Sequence, residues 1–305
     1  MFTRFSKSSI VNKQPKLNSA LAGNPGLSVI VFQGSVQTYV DVTTLSNSYY
    51  FSYSPFAIGA AGGGASKTRG VTYAGYDGVY RNITYVTFAA RSDAQTFGNI
   101  AVNRMRCASA SNPTIAVING GDGVGGGAGV NNVEYVTIAT LGNGVSAGGM
   151  STNRSYMVGG GQSPTRGVFG GGWTGSLRSE IDYVTFASMG GTTGFGNLTV
   201  ARYMPAGFSS DTRAVWGGGA GGQTTADYIT IASTGSATSF GTLIYGSDYS
   251  SSAGSSNVRG IWSGSTTGRQ IYYVTIASTG NGTDFGTNMY QAPSGTMQSN
   301  HGGLQ

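Results

Sequence analysis

Charge is scarce in this chain. Asp, Glu, Lys and Arg make up 9% of its 305 residues, against roughly 25% in ordinary globular domains. There is one histidine, His301, so a His-based catalytic triad or a His-rich metal site is excluded by count. That residue reads as a solvated one near the end of the chain. The one cysteine, Cys107, excludes an internal disulfide framework and reads as a small buried apolar residue. Of the 11 acids only Glu134 and Glu180 are glutamates. No apolar run reaches the roughly 18 residues a membrane-spanning helix needs. The opening "MFTRFSKSSIVNKQPKLNSA" lacks the apolar core of a secretory signal. Sustained helical spacing of Ala, Leu, Glu and Lys is also missing, which leaves strand chemistry from Val, Ile, Thr, Tyr and Phe and predicts an all-β chain.

The formal charge of +6 is uneven. Arg4, Lys7, Lys13 and Lys16 precede the first acid, Asp41, and the remaining 13 basic and 11 acidic residues nearly cancel. Residues 1–24 therefore read as a basic arm and 25–305 as the folded body. Phe2, Arg4, Phe5, Lys7, Lys13 and Lys16 are its candidate docking residues. A frayed tail and electrostatic nucleic-acid binding are the other readings of the same residues, nucleic acid the weakest of the three.

What the body does contain is a repeat. "YVT"-type strands place a tyrosine at Tyr39, Tyr85, Tyr135, Tyr183, Tyr228 and Tyr273, spaced 46, 50, 48, 45 and 45 residues apart. A β-run ending in glycine precedes each, as in "RGVFGGG" from Arg166 and "RAVWGGG" from Arg213. An "FG" pair follows at Phe97, Phe195, Phe240 and Phe285, and then an arginine at Arg104, Arg154 and Arg202, with Ser247 and Ala292 in that slot later. Copy three departs at "SAGGM", and copy one, with "YYFSYS", has no clean match. Four short strands per unit fill the roughly 40–50 residues of one propeller blade, so six copies predict a six-bladed β-propeller. The fourth strand of each unit is read from runs such as "FGNLTV". The innermost strand of the first unit could come from "GTMQSNH" at Gly295 or from "LNSALAG" at Leu17.

"TRGVFGGGWTGSLRSEIDYVTFASMGGTTGFGNLTVAR", Thr165 to Arg202, resembles the kelch repeat: a Gly-Gly doublet, then Tyr, an aromatic and Arg, with Phe195 where kelch usually has Trp. "TRGVFGGG", "DYITIAST" and "FGNLTVAR" are further similar to repeats in virion proteins of tailed phages, marine ones especially. The resemblance covers about residues 27 to 300. It implies a kelch-like propeller in a tail or fibre component, localised to the virion in multiple copies. Such a component would dock on other virion proteins through its arm and present a surface for host attachment, with a host-surface glycan as one partner. A capsid or neck decoration protein without a receptor role, and a free glycan-binding lectin module, are the alternatives.

Residues that recur with the period read as framework: Arg69, Arg166, Arg213 and Arg259 before the glycine-ended strands, and the six tyrosines. Glu134, Asp182 and Asp227 each precede a repeat tyrosine, which favours a structural or hydrogen-bonding role over ligand contact; a glycosidase-type pair would need to face across one cleft. "GGDGVGGGAGVNN", Gly120 to Asn132, lacks the Lys-Ser/Thr ending of a phosphate loop and reads as a surface loop or a partner-binding one. Trp173 and Arg178 lie in a non-repeating connection and are the candidates for outward contact. No catalytic constellation, metal site or cofactor motif emerges, so the chain is expected not to be an enzyme.

Overall fold

In strands such as Asn82–Thr87 and Glu180–Thr185, half-exposed Tyr and Thr alternate with buried Ile and Val, as expected of a pleated surface. The alternation breaks at the residue before each repeat tyrosine, and the sheet register explains why. A computed structural model describes residues 28–297, apart from 34, 43–46, 57–61, 74–80, 89, 91, 124–128, 158, 220, 248–251, 266–267 and 288–294. Among the described residues there is no α-helix, and the strands form six four-stranded antiparallel sheets.

From innermost to outermost strand, the first sheet is Gly295–Met297, Ser28–Gln33, Val36–Asp41 and Tyr49–Tyr53. The second is Gly62–Ala65, Arg69–Tyr73, Asn82–Thr87 and Gln95–Asn99. The third is Ala108–Ser111, Ile115–Asn119, Val133–Thr137 and Val145–Gly148. The fourth is Gly160–Gln162, Arg166–Gly170, Glu180–Thr185 and Thr193–Asn197. The fifth is Ala206–Ser209, Arg213–Gly217, Gln223–Thr230 and Thr238–Ser247, and the sixth is Ser252–Ser255, Arg259–Ser265, Gly268–Thr275 and Thr283–Thr287. A small two-stranded sheet pairs Arg104–Met105 with Asp122–Gly123. Five of the six sheets are contiguous in sequence. The first is completed from the far end of the chain, where Met297 pairs with Ile30 and Gly295 with Phe32. Of the two closing segments open to the sequence, the structure uses the one at Gly295.

The arrangement is a β-propeller. Each innermost strand touches the innermost strands of the sheets before and after it, and the sixth touches the first. The apolar core divides the same way, into clusters that each straddle two consecutive sheets. Val168, Ile181 and Phe195 of the fourth sheet pack with Ala214, Trp216 and Ile229 of the fifth. Ile261, Ile271 and Phe285 of the sixth pack with Val40 and Val42 of the first. Burying one such side chain stabilises by roughly 1.5–3 kcal/mol, and here part of that burial is supplied by the neighbouring sheet.

The outer strand departs from the expectation. Its span is Thr193–Asn197 rather than "FGNLTV": Leu198 leaves the strand to enter the core, and Val200 is exposed. The phenylalanine is the extra residue of a β-bulge. Ile181 pairs with Gly196 and Asp182 with Gly194, so Phe195 has no partner opposite it and turns inward. The same shift occurs in all six sheets, at Gln37/Thr38, Ile83/Thr84, Val133/Glu134, Ala226/Asp227 and Ile271/Tyr272 besides this one. Phe51 and Ala147 occupy the bulged position in the first and third sheets, so the two copies that look irregular in sequence share the architecture.

The glycine after the bulge admits the next sheet. Gly142 donates to Phe97 O at 3.1 Å, Gly235 to Phe195 O at 2.9 Å and Gly280 to Phe240 O at 2.9 Å. Side chains complete the seam: Asn143 Oδ1 accepts from Asn99 N, and Asn281 Oδ1 from Thr242 N, each at 3.0 Å. Asn47 Oδ1 accepts from Thr287 N at 3.0 Å, joining the first sheet to the sixth. Outer edges that would otherwise present unpaired backbone are thereby occupied.

Candidate functional site

The periodic side chains are engaged in the frame. Arg166 lies over the Tyr183 ring at 4.7 Å, and that ring meets Phe195 edge-on at 5.9 Å. Its Nη1 also donates to Ile231 O and Ala232 O of the next sheet, at 3.0 and 2.9 Å. Arg69 does the same with Tyr85 and the carbonyls of Ile138 and Ala139. Arg213 does so with Tyr228 and the carbonyls of Ile276 and Ala277. Arg259 stacks on Tyr273 and donates to Val42 O at 2.8 Å, which ties the sixth sheet to the first. Planar, delocalised guanidinium suits this double task of stacking and donating. Tyr135 is half-buried beside the third-to-fourth cluster, where Ile115 stands in the arginine position. Tyr39 packs on Tyr49 and Phe51.

A second set of arginines is buried. Arg104 Nη2 meets Glu134 Oε1 at 2.6 Å and Arg202 Nη2 meets Asp227 Oδ2 at 2.8 Å; Arg154 pairs with Asp182 in the same way. Each arginine sits in the connection entering a sheet, and its carboxylate is on that sheet's third strand, at the bulge. Arg202 donates beyond the pair as well, its Nη1 reaching Gly218 O and Thr225 O. Burial lowers the pKa of all three guanidiniums, and the partner acids oppose it. The pairs follow a sequence rule. Where the arginine slot holds Ile58, Ser247 or Ala292, the matching carboxylate position holds Thr84, Tyr272 or Thr38. Cation and anion are kept or lost together, because either alone would be an uncompensated buried charge.

Non-periodic chemistry gathers on one face. The antiparallel strand order puts the connections between second and third strands, and those leading from one sheet into the next, on the same side. Gly120–Gly121 turn with φ of 61° and 107°, a conformation open to glycine, and lead into the short strand that buries Asp122. Asp122 Oδ2 accepts from Arg106 Nη1 at 2.7 Å, and its Oδ1 accepts from Tyr156 N at 3.1 Å. Burial pushes this carboxyl above the usual range, with Arg106 and the Tyr156 N–H pulling the other way. Arg106 lies over the Tyr156 ring at 4.6 Å. Tyr156 meets Tyr203 edge-on at 5.6 Å, and Tyr203 meets Trp173 at 5.6 Å. Arg106, Tyr156 and Met204 hold one repeat position with φ near 53–55°, a left-handed turn that projects a different side chain in each copy.

Trp173 is mounted rigidly. It exchanges backbone hydrogen bonds with Ser155, 2.9 Å from its N to Ser155 O and 3.0 Å in return. Arg178, the other residue singled out for outward contact, does not join the aromatic group; it ion-pairs with Glu180, Nε to Oε2 at 3.0 Å. Burial pushes the Glu180 pKa up, but the hydrogen bond and charge of Arg178, with the Glu180 backbone N–H and Arg154, together outweigh it, so the net shift is downward. Cys107 is buried, which raises its pKa. The docking-arm residues Phe2, Arg4, Phe5, Lys7, Lys13 and Lys16, and His301, lie outside the described residues. Among the described residues no group of three or more His, Cys, Asp or Glu is placed to hold a metal, and no helix is long and apolar enough to cross a membrane. Sequence reasoning missed Arg106, Asp122, Tyr156 and Tyr203; the available signal was that Arg106 and Tyr156 vary at a position two residues after each periodic arginine.

No family model matches the chain, and no curated protein matches it.

Proposed function

We propose that the chain is a non-enzymatic structural component of a tailed-phage virion, associated with the tail or fibre. In this reading residues 1–24 dock it on a neighbouring virion protein, and a six-bladed, kelch-like propeller presents one face for attachment to the host. The virion assignment rests on the resemblance of the repeats, from "TRGVFGGG" to "FGNLTVAR". The observation that carries the presenting role is the division of labour among side chains. Recurring arginines and acids are spent on holding sheets together, while the half-buried, non-recurring rings of Trp173, Tyr203 and Tyr156 share one face. That asymmetry favours an attachment component over a decoration protein without a receptor role.

Localising the chain on purified particles by electron microscopy tests the reading. The expected result is density at the tail or fibre, and loss of incorporation when residues 1–24 are removed from a chain that still melts cooperatively. Absence from the particles, or full incorporation without the arm, would overturn it.

A further inference from the structure

Trp173, Tyr203 and Tyr156 occupy positions the fold does not need to be aromatic. The repeat position of Tyr203 holds Ser155 and Met105 in other copies, and that of Tyr156 holds Arg106 and Met204. The corresponding connection in the fifth sheet is "GGAGG", with no ring. Trp216 and Trp262 are fully buried between sheets, whereas Trp173 is half-buried at the surface. The rings stand as a corner: Tyr156 and Tyr203 are at 89° and Tyr203 and Trp173 at 56°. Next to them the Arg106–Asp122 pair is electrically balanced, and Thr174, Gly175 and Ser176 are exposed and uncharged.

We infer that this corner is a binding site for a neutral oligosaccharide, with the Trp173 ring as the stacking surface for a pyranose and Tyr156 and Tyr203 as flanking hydroxyl-bearing walls. The apolar C–H face of a sugar ring suits an aromatic face, and its hydroxyls suit phenol and backbone groups. An acidic ligand would need an uncompensated cation, and Arg106 is already neutralised by Asp122. A purely apolar ligand would need aliphatic surface, and Leu177 is the exposed aliphatic residue in this connection. Asp122 acts as a positioning residue: through Arg106 and the Tyr156 N–H it fixes the wall of the corner from beneath.

The site deepens the attachment reading and rests on it for its biological role, but its binding test is separate. The full-length chain is titrated with neutral oligosaccharides (maltotriose, cellotriose, chitotriose, mannotriose and lactose) and with sialyllactose, following the heat of binding by isothermal titration calorimetry, a readout that survives replacement of Trp173. The expected result is a saturable change with at least one neutral sugar, weakened about tenfold or more by Trp173→Ala. Trp173→Phe, which keeps a ring and guards against a folding defect, should retain most of the binding. No saturable neutral ligand, a preference for sialyllactose alone, or equal binding by both Trp173 variants and the parent would overturn the site. A chain found on particles that binds no sugar sinks this site and leaves the virion reading standing; a sugar-binding chain absent from particles does the reverse.

Discussion

Arg202 donates from Nη2 to Asp227 Oδ2 across 2.8 Å, with both side chains shut off from water. Two residues 25 positions apart in sequence thus join a connection to the third strand of the sheet it enters. Such a pair is costly to desolvate and costlier to break. Asp227→Ala should destabilise the protein by about 3–5 kcal/mol, and Arg202→Met combined with Asp227→Leu should recover most of that loss. Urea unfolding of the single and double variants measures it. A single variant as stable as the parent would show that the pair contributes nothing.

Glycines after the bulged phenylalanine are predicted to be intolerant where glycines nearby are not. A methyl group at position 196 would overlap Gly235 O of the next sheet, while one at position 194 would meet nothing. Gly196→Ala should cost about 1–3 kcal/mol or more. Gly194→Ala, on the exposed side of the same strand, should fall within roughly 0.5 kcal/mol of the parent. Equal melting temperatures for the two variants would contradict the seam described above.

Asp122 gives a pH dependence with a definite sign. Its folded-state pKa is raised, chiefly by burial. The folded state therefore holds the proton more tightly than the unfolded chain, and this contribution is fully present below the unfolded value. It is lost as pH rises through the folded one. The stability of the parent relative to Asp122→Asn should accordingly fall as pH is raised from about 3 towards neutrality. Melting curves of both proteins across that window check it; a difference that grows with pH would reverse the assignment.

The strand from Gly295 to Met297 is small, but it carries ring closure. Deleting residues 295–305 should leave the first sheet without its innermost strand and replace a cooperative melt with a broad one. It should also bring early proteolytic cleavage within residues 28–53, while the fourth and fifth sheets persist longest. Unchanged melting and cleavage would mean that closure does not depend on this strand.

Much of this frame was legible in the residues, because a propeller sheet is local in sequence. The tyrosine period set the repeat, and the strand runs from Arg69, Arg166, Arg213 and Arg259 fall where alternation and glycine punctuation put them. What escaped was whatever depends on a neighbouring sheet. The aromatic of the FG pair reads as filler between neighbouring blades, and Phe195 is that, but that it gets there as the extra residue of a bulge shows only in the register. Phe51 was invisible as its equivalent because serine replaces the glycine after it. The joint absence of acid and arginine at Thr84, Tyr272 and Thr38 was written in the sequence, but its meaning requires knowing that the two positions touch. The aromatic corner is assembled from three separate connections; the period marks the positions of Tyr156 and Tyr203 but not which side chains stand there or that they meet Trp173.

The lacing of outer strands by Asn47, Asn143 and Asn281 limits how this protein can meet others. A neighbour cannot extend any of these laced sheets by adding a strand of its own, since the hydrogen-bonding groups it would need along the circumference are already taken. Assembly and recognition are thereby directed to the two broad sides of the propeller, and those sides differ: one carries the recurring Ser/Thr turns between first and second strands together with the connections between third and fourth, the other the connections that hold Trp173, Tyr203 and Tyr156. The disc therefore carries an intrinsic polarity, able to distinguish up from down wherever it is mounted.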